Sequence, residues 1–347
     1  MQLNGIEVEE EKRRIVETLW PIAITGIPNN EAYARDVCTL LEEKYFECSP
    51  IVFQDSERAF QNEGNLRERE VFIICSTEQP DANIMNTLFM AHNAKVMSSA
   101  HGVTVLFTYF GYARGDRKDK PGKSVPAATI CTLLKAVNVD RVIILDPHFS
   151  QLQSILHALN IKCDLLFATE ILANRIIKEE KLENAIISTV DSGGLKIVKD
   201  YSARLGAPFV IALKDKSKEG ELKVIGSSCN DIEDSIIIIG DDLTATLTSI
   251  TETATTYKKL GARRVIASLT HFACVDSNRD LLLERLDNPA VDKYYATDSL
   301  SLPSEILEHP KYVSVTSKEL IAKAIFNTYY RLSISQLFAL DKEKSYR

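Results

Sequence analysis

A chain of 347 residues exceeds one ordinary hydrophobic core, and at about 150 residues per domain it predicts two domains. Its 45% hydrophobic and 26% charged residues exclude the disordered and fibrous classes. The net charge of −7 argues against a nucleic-acid partner, which needs a basic face, and no run reaches the roughly 18 apolar residues of a membrane span, so a cytoplasmic protein is expected.

The first twenty residues, MQLNGIEVEEEKRRIVETLW, mix charged and apolar residues and lack the continuous apolar core of a secretion signal. The cysteines, at 38, 48, 75, 131, 163, 229 and 274, never fall into CxxC pairs and read as reduced core thiols. In chain order, buried parallel strands are predicted for IAIT (Ile22 to Thr25), VFIIC (Val71 to Cys75), VTVLFTYF (Val103 to Phe110) and RVIIL (Arg141 to Leu145). Four more follow: AIISTV ending at Val190, FVIAL ending at Leu213, SIIIIG ending at Gly240 and RVIASL ending at Leu269. Between them, EAYARDVCTLLEE from Glu31, NIMNTLFMAHNAKVM from Asn83 and GGLKIVKDYSARLG from Gly193 carry apolar residues at helical spacing. Alternating strand and helix predicts doubly wound α/β architecture.

One internal similarity stands out. LKAVNVDRVIILDPHF (Leu134 to Phe149) and YKKLGARRVIASLTHF (Tyr257 to Phe272), 123 residues apart, both run from a helix through a short turn into an Arg-Val-Ile strand closing on His-Phe. Two halves of one ancestral unit would explain it, and so would the shared grammar of αβ junctions.

Ligands of open α/β sheets bind beyond the carboxyl ends of strands, which directs attention to four loops. GYARGDRKDKPGKS (Gly111 to Ser124) gathers Arg114, Arg117, Lys118, Lys120 and Lys123 in an acidic protein and suits a polyanion; a solvated surface loop is the alternative. Its PGKS is not a phosphate-binding P-loop, because the glycine required at position 117 is an arginine. DPHFSQ places Asp146 and His148 at a strand end, where His148 can serve a metal or a phosphate or be structural. DSGGLK sets Asp191 before Gly193 and Gly194 at a helix start, fit for Mg²⁺ riding on phosphates or for capping the helix. DDLTATLTS (Asp241 to Ser249) offers two carboxylates for ribose hydroxyls, then Thr244, Thr246, Thr248 and Ser249 for a phosphate.

In this order the loops resemble those of the ribose-phosphate diphosphokinase (phosphoribosyl pyrophosphate synthetase) family. YARGDRKDK at Tyr112 to Lys120 is similar to the family's YARQDKKDK, DPHFSQ to DLHASQ, TVDSGG at Thr189 to Gly194 to SPDAGG, and DDLTATLTS to DDMxDTxGT. The likeness runs from about Ile22 to SQLF at Ser335 to Phe338.

The resemblance implies two phosphoribosyltransferase-like domains, each a mostly parallel sheet flanked by helices. They would span 1–165, with a C-terminal segment 315–347 packing back on it, and 166–314. It implies transfer of diphosphate from Mg-ATP to ribose 5-phosphate, giving phosphoribosyl pyrophosphate and AMP. Phe53, Asp55 and Glu57 would contact ATP, with Arg114 and Asp119 supplied by another subunit of a homo-oligomer, a dimer or larger. His148 and Asp191 would serve Mg²⁺ and the phosphates. Asp241, Asp242, Thr244, Thr246, Thr248 and Ser249 would hold ribose phosphate. Lys214 and Lys216 would act catalytically on the mobile loop covering the transferring group, with His148 beside them.

Departures from the family fall on this machinery. Gly115 stands for a Gln, Lys216 for an Arg, Asp55 for an Asn, Ala245 for the third Asp of the ribose-phosphate loop and Thr248 for its Gly. Two readings of different class follow: a working, divergent diphosphokinase, or an impaired paralogue acting as a regulatory or scaffold subunit in a hetero-oligomer with a true synthetase.

Overall fold

A computed structural model of the protein describes residues 19–115, 118, 120–214, 222–226 and 232–338. The chain separates into two compact units: residues up to Leu166 joined by Lys318–Phe338, and Phe167–Ser317.

In the first unit β1 (Ile22–Gly26) leads to helix α1 (Glu31–Leu40) and a hairpin of β2 (Cys48–Val52) and β3 (Arg58–Asn62). Then come β4 (Glu70–Ser76), α2 (Ala82–His92), β5 (Gly102–Tyr109), α3 (Pro126–Ala136), β6 (Arg141–Leu145), α4 (Leu152–Ala158) and β7 (Lys162–Leu166). The sheet is parallel throughout, in the order β1-β4-β5-β6-β7. Helices cover both faces of such a sheet, so its inner strands are apolar on both sides, and Val71 to Ser76 and Gly102 to Thr108 are buried without a break. The C-terminal helix, Lys318–Tyr329, packs on α1, where the Lys318 ammonium lies 2.7 Å from Asp36.

The second unit repeats this plan. Helix α5 (Thr169–Glu179) precedes β8 (Ala185–Thr189), followed by α6 (Leu195–Leu205) and a hairpin of β9 (Val210–Lys214) and β10 (Leu222–Gly226). Next are β11 (Ile236–Thr244), α7 (Thr248–Lys259), β12 (Arg264–Phe272), α8 (Arg279–Leu286), β13 (Lys293–Thr297) and β14 (Tyr312–Val315). The sheet order is β8-β11-β12-β13-β14, again parallel. Two mostly parallel sheets flanked by helices are thus the fold class expected of the sequence.

The repeat has a different register from the one the sequence similarity offered. Topology makes β12 the counterpart of β5, whose first residues lie 162 apart, whereas the matching 123-residue segments equate β12 with β6. The duplication is real in topology, and the short sequence match reflects αβ-junction grammar. FVIAL is more than the buried parallel strand expected: Phe209 bridges in parallel to Ile187 of β8, and Val210 and Ala212 are buried, but β9 also pairs antiparallel with β10 as one arm of a hairpin.

Burial holds Cys38, Cys48, Cys131 and Cys163 up to about 12, so these thiols stay protonated in the core. A buried charge cluster ties α5 to the sheet. Glu180, its side chain 4% exposed, lies 2.6 Å from Arg264 and 3.3 Å from Lys293 and accepts from the Tyr295 hydroxyl at 2.9 Å. Burial alone would raise this carboxyl, but Arg264, Tyr295 and Lys293 outweigh it and hold it below the ordinary value. Removing Glu180 leaves Arg264 and Lys293, each about one third exposed, and the Tyr295 hydroxyl without their shared acceptor, so Glu180→Ala is expected to destabilise the protein by about 1–2 kcal/mol, read as a lower urea midpoint.

Candidate active site

Each unit contains one place where the sheet's winding reverses. In the second unit the chain leaves β8 outward to Phe209, which bridges to Ile187, then returns to β11 on the other side and continues in order to β14. Right-handed crossovers require α6 and α7 to take opposite faces, so the loops after β8 and β11 diverge and open a crevice between them. Those loops are TVDSGG and DDLTATLTS.

Asp191 follows β8 in an extended conformation, and its carboxylate accepts from the Gly193 amide at 2.7 Å at the start of the turn Ser192–Gly194. Of the two readings of this residue the structure shows the cap, with the side chain exposed. Gly194 is required on steric grounds, because a Cβ there would run into the Thr189 hydroxyl. On β11, Asp241 Oδ1 accepts from the Asp242 amide at 3.0 Å, and the two carboxyls are neighbours.

The rest of the loop is shaped from within. Thr244 is buried and its hydroxyl accepts from the Leu247 amide at 3.0 Å, which makes it a brace of the loop. Thr248 donates to the Thr246 hydroxyl at 2.9 Å, and Ser249 stands half-buried in the first turn of α7. The backbone turns left-handed at Leu247 (φ 57°), not at Thr248, where the family resemblance sets the glycine. A left-handed backbone costs an L-residue about 1–2 kcal/mol, and Leu247 offsets that by being fully buried. Asn278 donates to the Ala245 carbonyl at 2.8 Å, and Arg285 of α8 donates to the Thr246 carbonyl and the Thr248 hydroxyl. Sequence reasoning missed both, since they come from the next crossover, more than thirty residues downstream, with no motif to mark them.

The corresponding reversal of the first unit, between β1 and β4, is closed by its own side chains. Asn29 donates to Ser76 at 3.2 Å and Glu78 at 2.8 Å, and Asn30 accepts from the Ser76 amide at 2.7 Å. Here the candidate residues lie elsewhere. Phe53, Asp55 and Glu57 share the tip of the β2–β3 hairpin, where Asp55 accepts from the Glu57 amide at 3.1 Å and Phe53 is 51% exposed beside exposed Ile51 and Val52. Arg114 and His148, both exposed, follow the carboxyl ends of the neighbouring strands β5 and β6. Gly115 packs so closely on Pro126 that a Cβ would lie 2.7 Å from its Cδ, so the glycine suits this backbone where the family has Gln. Lys214 closes β9, its backbone paired with Leu222, and is a strand residue, not a loop residue. Asp119 and Lys216 lie outside the described residues.

Burial first, then the adjacent Asp242 and nearby Asp191 carboxylates, raises the Asp241 carboxyl well above the usual range. The folded value exceeds the unfolded one, about 3.9, so stability is greatest below that pH and declines as pH rises through the folded value. Asp241→Asn removes the repulsion. In buffer free of divalent ions it is expected to raise Tm near pH 7 and to make little difference near pH 4, as thermal melts across pH would show.

Residues 22–137 match the family described as the N-terminal domain of ribose phosphate pyrophosphokinase. The chain is 33% identical over 313 residues to the ribose-phosphate pyrophosphokinase of Porphyromonas gingivalis, covering 89% of this chain and 95% of that protein. It is 32% identical over 309 residues to the enzyme of the same name from Campylobacter jejuni, covering 89% and 96%. The fold matches the crystal structure of phosphoribosylpyrophosphate synthetase from Mycobacterium smegmatis with a TM-score of 0.80 at 21% identity, over 90% of this chain and 99% of that one. Similarity of this extent shows that the chain belongs to the ribose-phosphate pyrophosphokinase family.

Proposed function

We propose that the protein transfers the diphosphoryl group of Mg-ATP to the anomeric hydroxyl of ribose 5-phosphate, releasing AMP. The observation that carries this reading is the loop at the β8/β11 reversal, where two carboxylates on a strand end suit a vicinal diol and the start of α7 suits a phosphate. In this reading the anomeric oxygen attacks the β-phosphorus while the bond from that phosphorus to the α-phosphate oxygen breaks. The protein contributes position and charge, with little covalent chemistry of its own.

Asp241 and Asp242 would orient the sugar, and Thr246, Thr248 and Ser249 would take its phosphate. Phe53 would stack on adenine, with Asp55 and Glu57 beside it and Arg114 and Asp119 meeting the nucleotide from a second subunit, so a dimer or larger homo-oligomer is part of the proposal. Lys214 and Lys216 would neutralise charge on the group in flight. Asp191 and His148 would serve Mg²⁺. The oxygen-only donors at the β8/β11 crevice fit that ion, and no three His, Cys, Asp or Glu side chains among the described residues form a ready-made cage, as suits an ion that keeps its waters and rides on phosphate. When bound, Mg²⁺ supplies charge neutralisation on the ATP phosphates.

Ala245 and Thr248 support the second reading, an impaired subunit working with an active synthetase, because the loop lacks a carboxylate and a glycine found in the family pattern. One assay decides between them: AMP formation from Mg-ATP is expected to depend on ribose 5-phosphate, and AMP release equal with and without the sugar would overturn the enzymatic reading. Phe53→Ala is expected to weaken ATP binding by roughly 1–3 kcal/mol while the circular dichroism spectrum stays that of wild type, since the side chain stands exposed on a hairpin tip. Unchanged nucleotide affinity would remove Phe53 from the site.

A further inference from the structure

We propose that Arg285 is the cationic ligand of the phosphate bound at the start of α7; the identity of that phosphate as the 5-phosphate of ribose rests on the function proposed above. Arg285 stands in the last turn of α8 and reaches across to donate to the Thr246 carbonyl and the Thr248 hydroxyl. Both acceptors are neutral. No carboxylate among the described residues pairs with it, unlike Arg264 with Glu180 or Arg204 with Glu170 in the same unit.

The first turn of α7 exposes backbone amides, carries the positive end of the helix dipole and holds no acidic side chain. A guanidinium bonded at that end adds a full positive charge to a partial one, with the Asp241 and Asp242 carboxylates at the opposite end of the loop. An anion seated between the guanidinium and the helix end satisfies both. The C-terminal end of α8 favours a cation in its last turn, so Arg285 is held in place before ligand arrives, and half-burial of its side chain limits the freedom lost on binding.

The arrangement also answers a deficit in the loop. Thr248 and Leu247 carry Cβ atoms where the family pattern allows glycine at one position, which limits close backbone approach to a phosphate. A planar five-donor fork beside the loop supplies donors that the backbone gives less freely here.

The test uses the full chain, with calorimetric titration of ribose 5-phosphate and, separately, inorganic phosphate, over a series of salt concentrations. Arg285→Gln is expected to weaken ribose 5-phosphate at least about tenfold and to flatten the salt dependence, while ATP affinity and the thermal midpoint stay near wild type. A residue that only braced the loop would leave the salt dependence unchanged. Arg285→Lys keeps the charge but not the fork, so it should retain the salt dependence with at least about threefold weaker binding, and it carries the test if the Gln variant does not fold. Wild-type affinity for ribose 5-phosphate in the variants would overturn the proposal and leave the proposed reaction standing. Inorganic phosphate bound by wild type and lost in Arg285→Gln, with ribose 5-phosphate bound by neither, would support the anion site and remove that sugar from it. No binding of either probe to wild type would overturn both.

Discussion

Parallel strands joined by right-handed crossovers can be laid down on both sides of a starting strand only if successive helices take opposite faces of the sheet. Everything functional in the second unit follows from that constraint. Where β8 and β11 lie side by side, their outgoing chains part, and the two loops with the densest polar chemistry end up flanking one crevice. The strands themselves are featureless for chemistry: Ile236 to Ile239 and Ile186 to Ile187 serve only to be buried. Their rigidity fixes where Asp191 and Asp241 stand.

The two units share a winding plan but have used their reversals differently. In the first, Asn29, Asn30, Ser76 and Glu78 bond to one another, and the loops are knitted shut by neutral and single-charge contacts. In the second, burial and the neighbouring Asp242 and Asp191 carboxylates force Asp241 toward its protonated form. Carboxylates crowded at the end of a buried strand are a poor solution for stability and a good one for holding a polar ligand or its metal. That difference in side chains, not the fold, is what sets the two reversals apart.

The strands legible in the sequence were those buried on both faces, because continuous β-branched runs such as VFIIC and SIIIIG have no other good explanation. Less legible were CSPIV and RAFQN, which form a hairpin exposed along much of its length, KYYAT, and YVSV, a four-residue strand at the edge of its sheet. For FVIAL the parallel contact with β8 was legible but the antiparallel partner β10 was not, since an apolar run looks alike whichever way its partner runs. At the site, the strand-end carboxylates could be read from position alone. The left-handed turn at Leu247 could not, because leucine is not a residue that announces positive φ, and tertiary burial fixed it there. Asn278 and Arg285 lacked any local pattern; only the return of the chain through β12 brings α8 against the loop.

Substitutions in a site read differently once the backbone around them is known. Gly115 looks in the sequence like a lost amide contact, yet the contact with Pro126 shows a segment packed around the glycine, so restoring Gln there would require the start of α3 to move. Thr248 looks like a blocked turn, yet the turn's strained position is one residue earlier, and Thr248 instead offers its hydroxyl to Arg285 and Thr246. Ala245 alone has no visible compensation of its own chemistry: its carbonyl is held by Asn278, which fixes the backbone, but no side chain replaces the missing carboxylate. The backbone of this loop is braced from a distant segment by Asn278 and by Arg285, and no carboxylate among the described residues pairs with that arginine. Under the proposed function the loop after β11 would meet its phosphate with a side-chain cation, while Ala245, at the sugar end, would leave the family's carboxylate without a replacement.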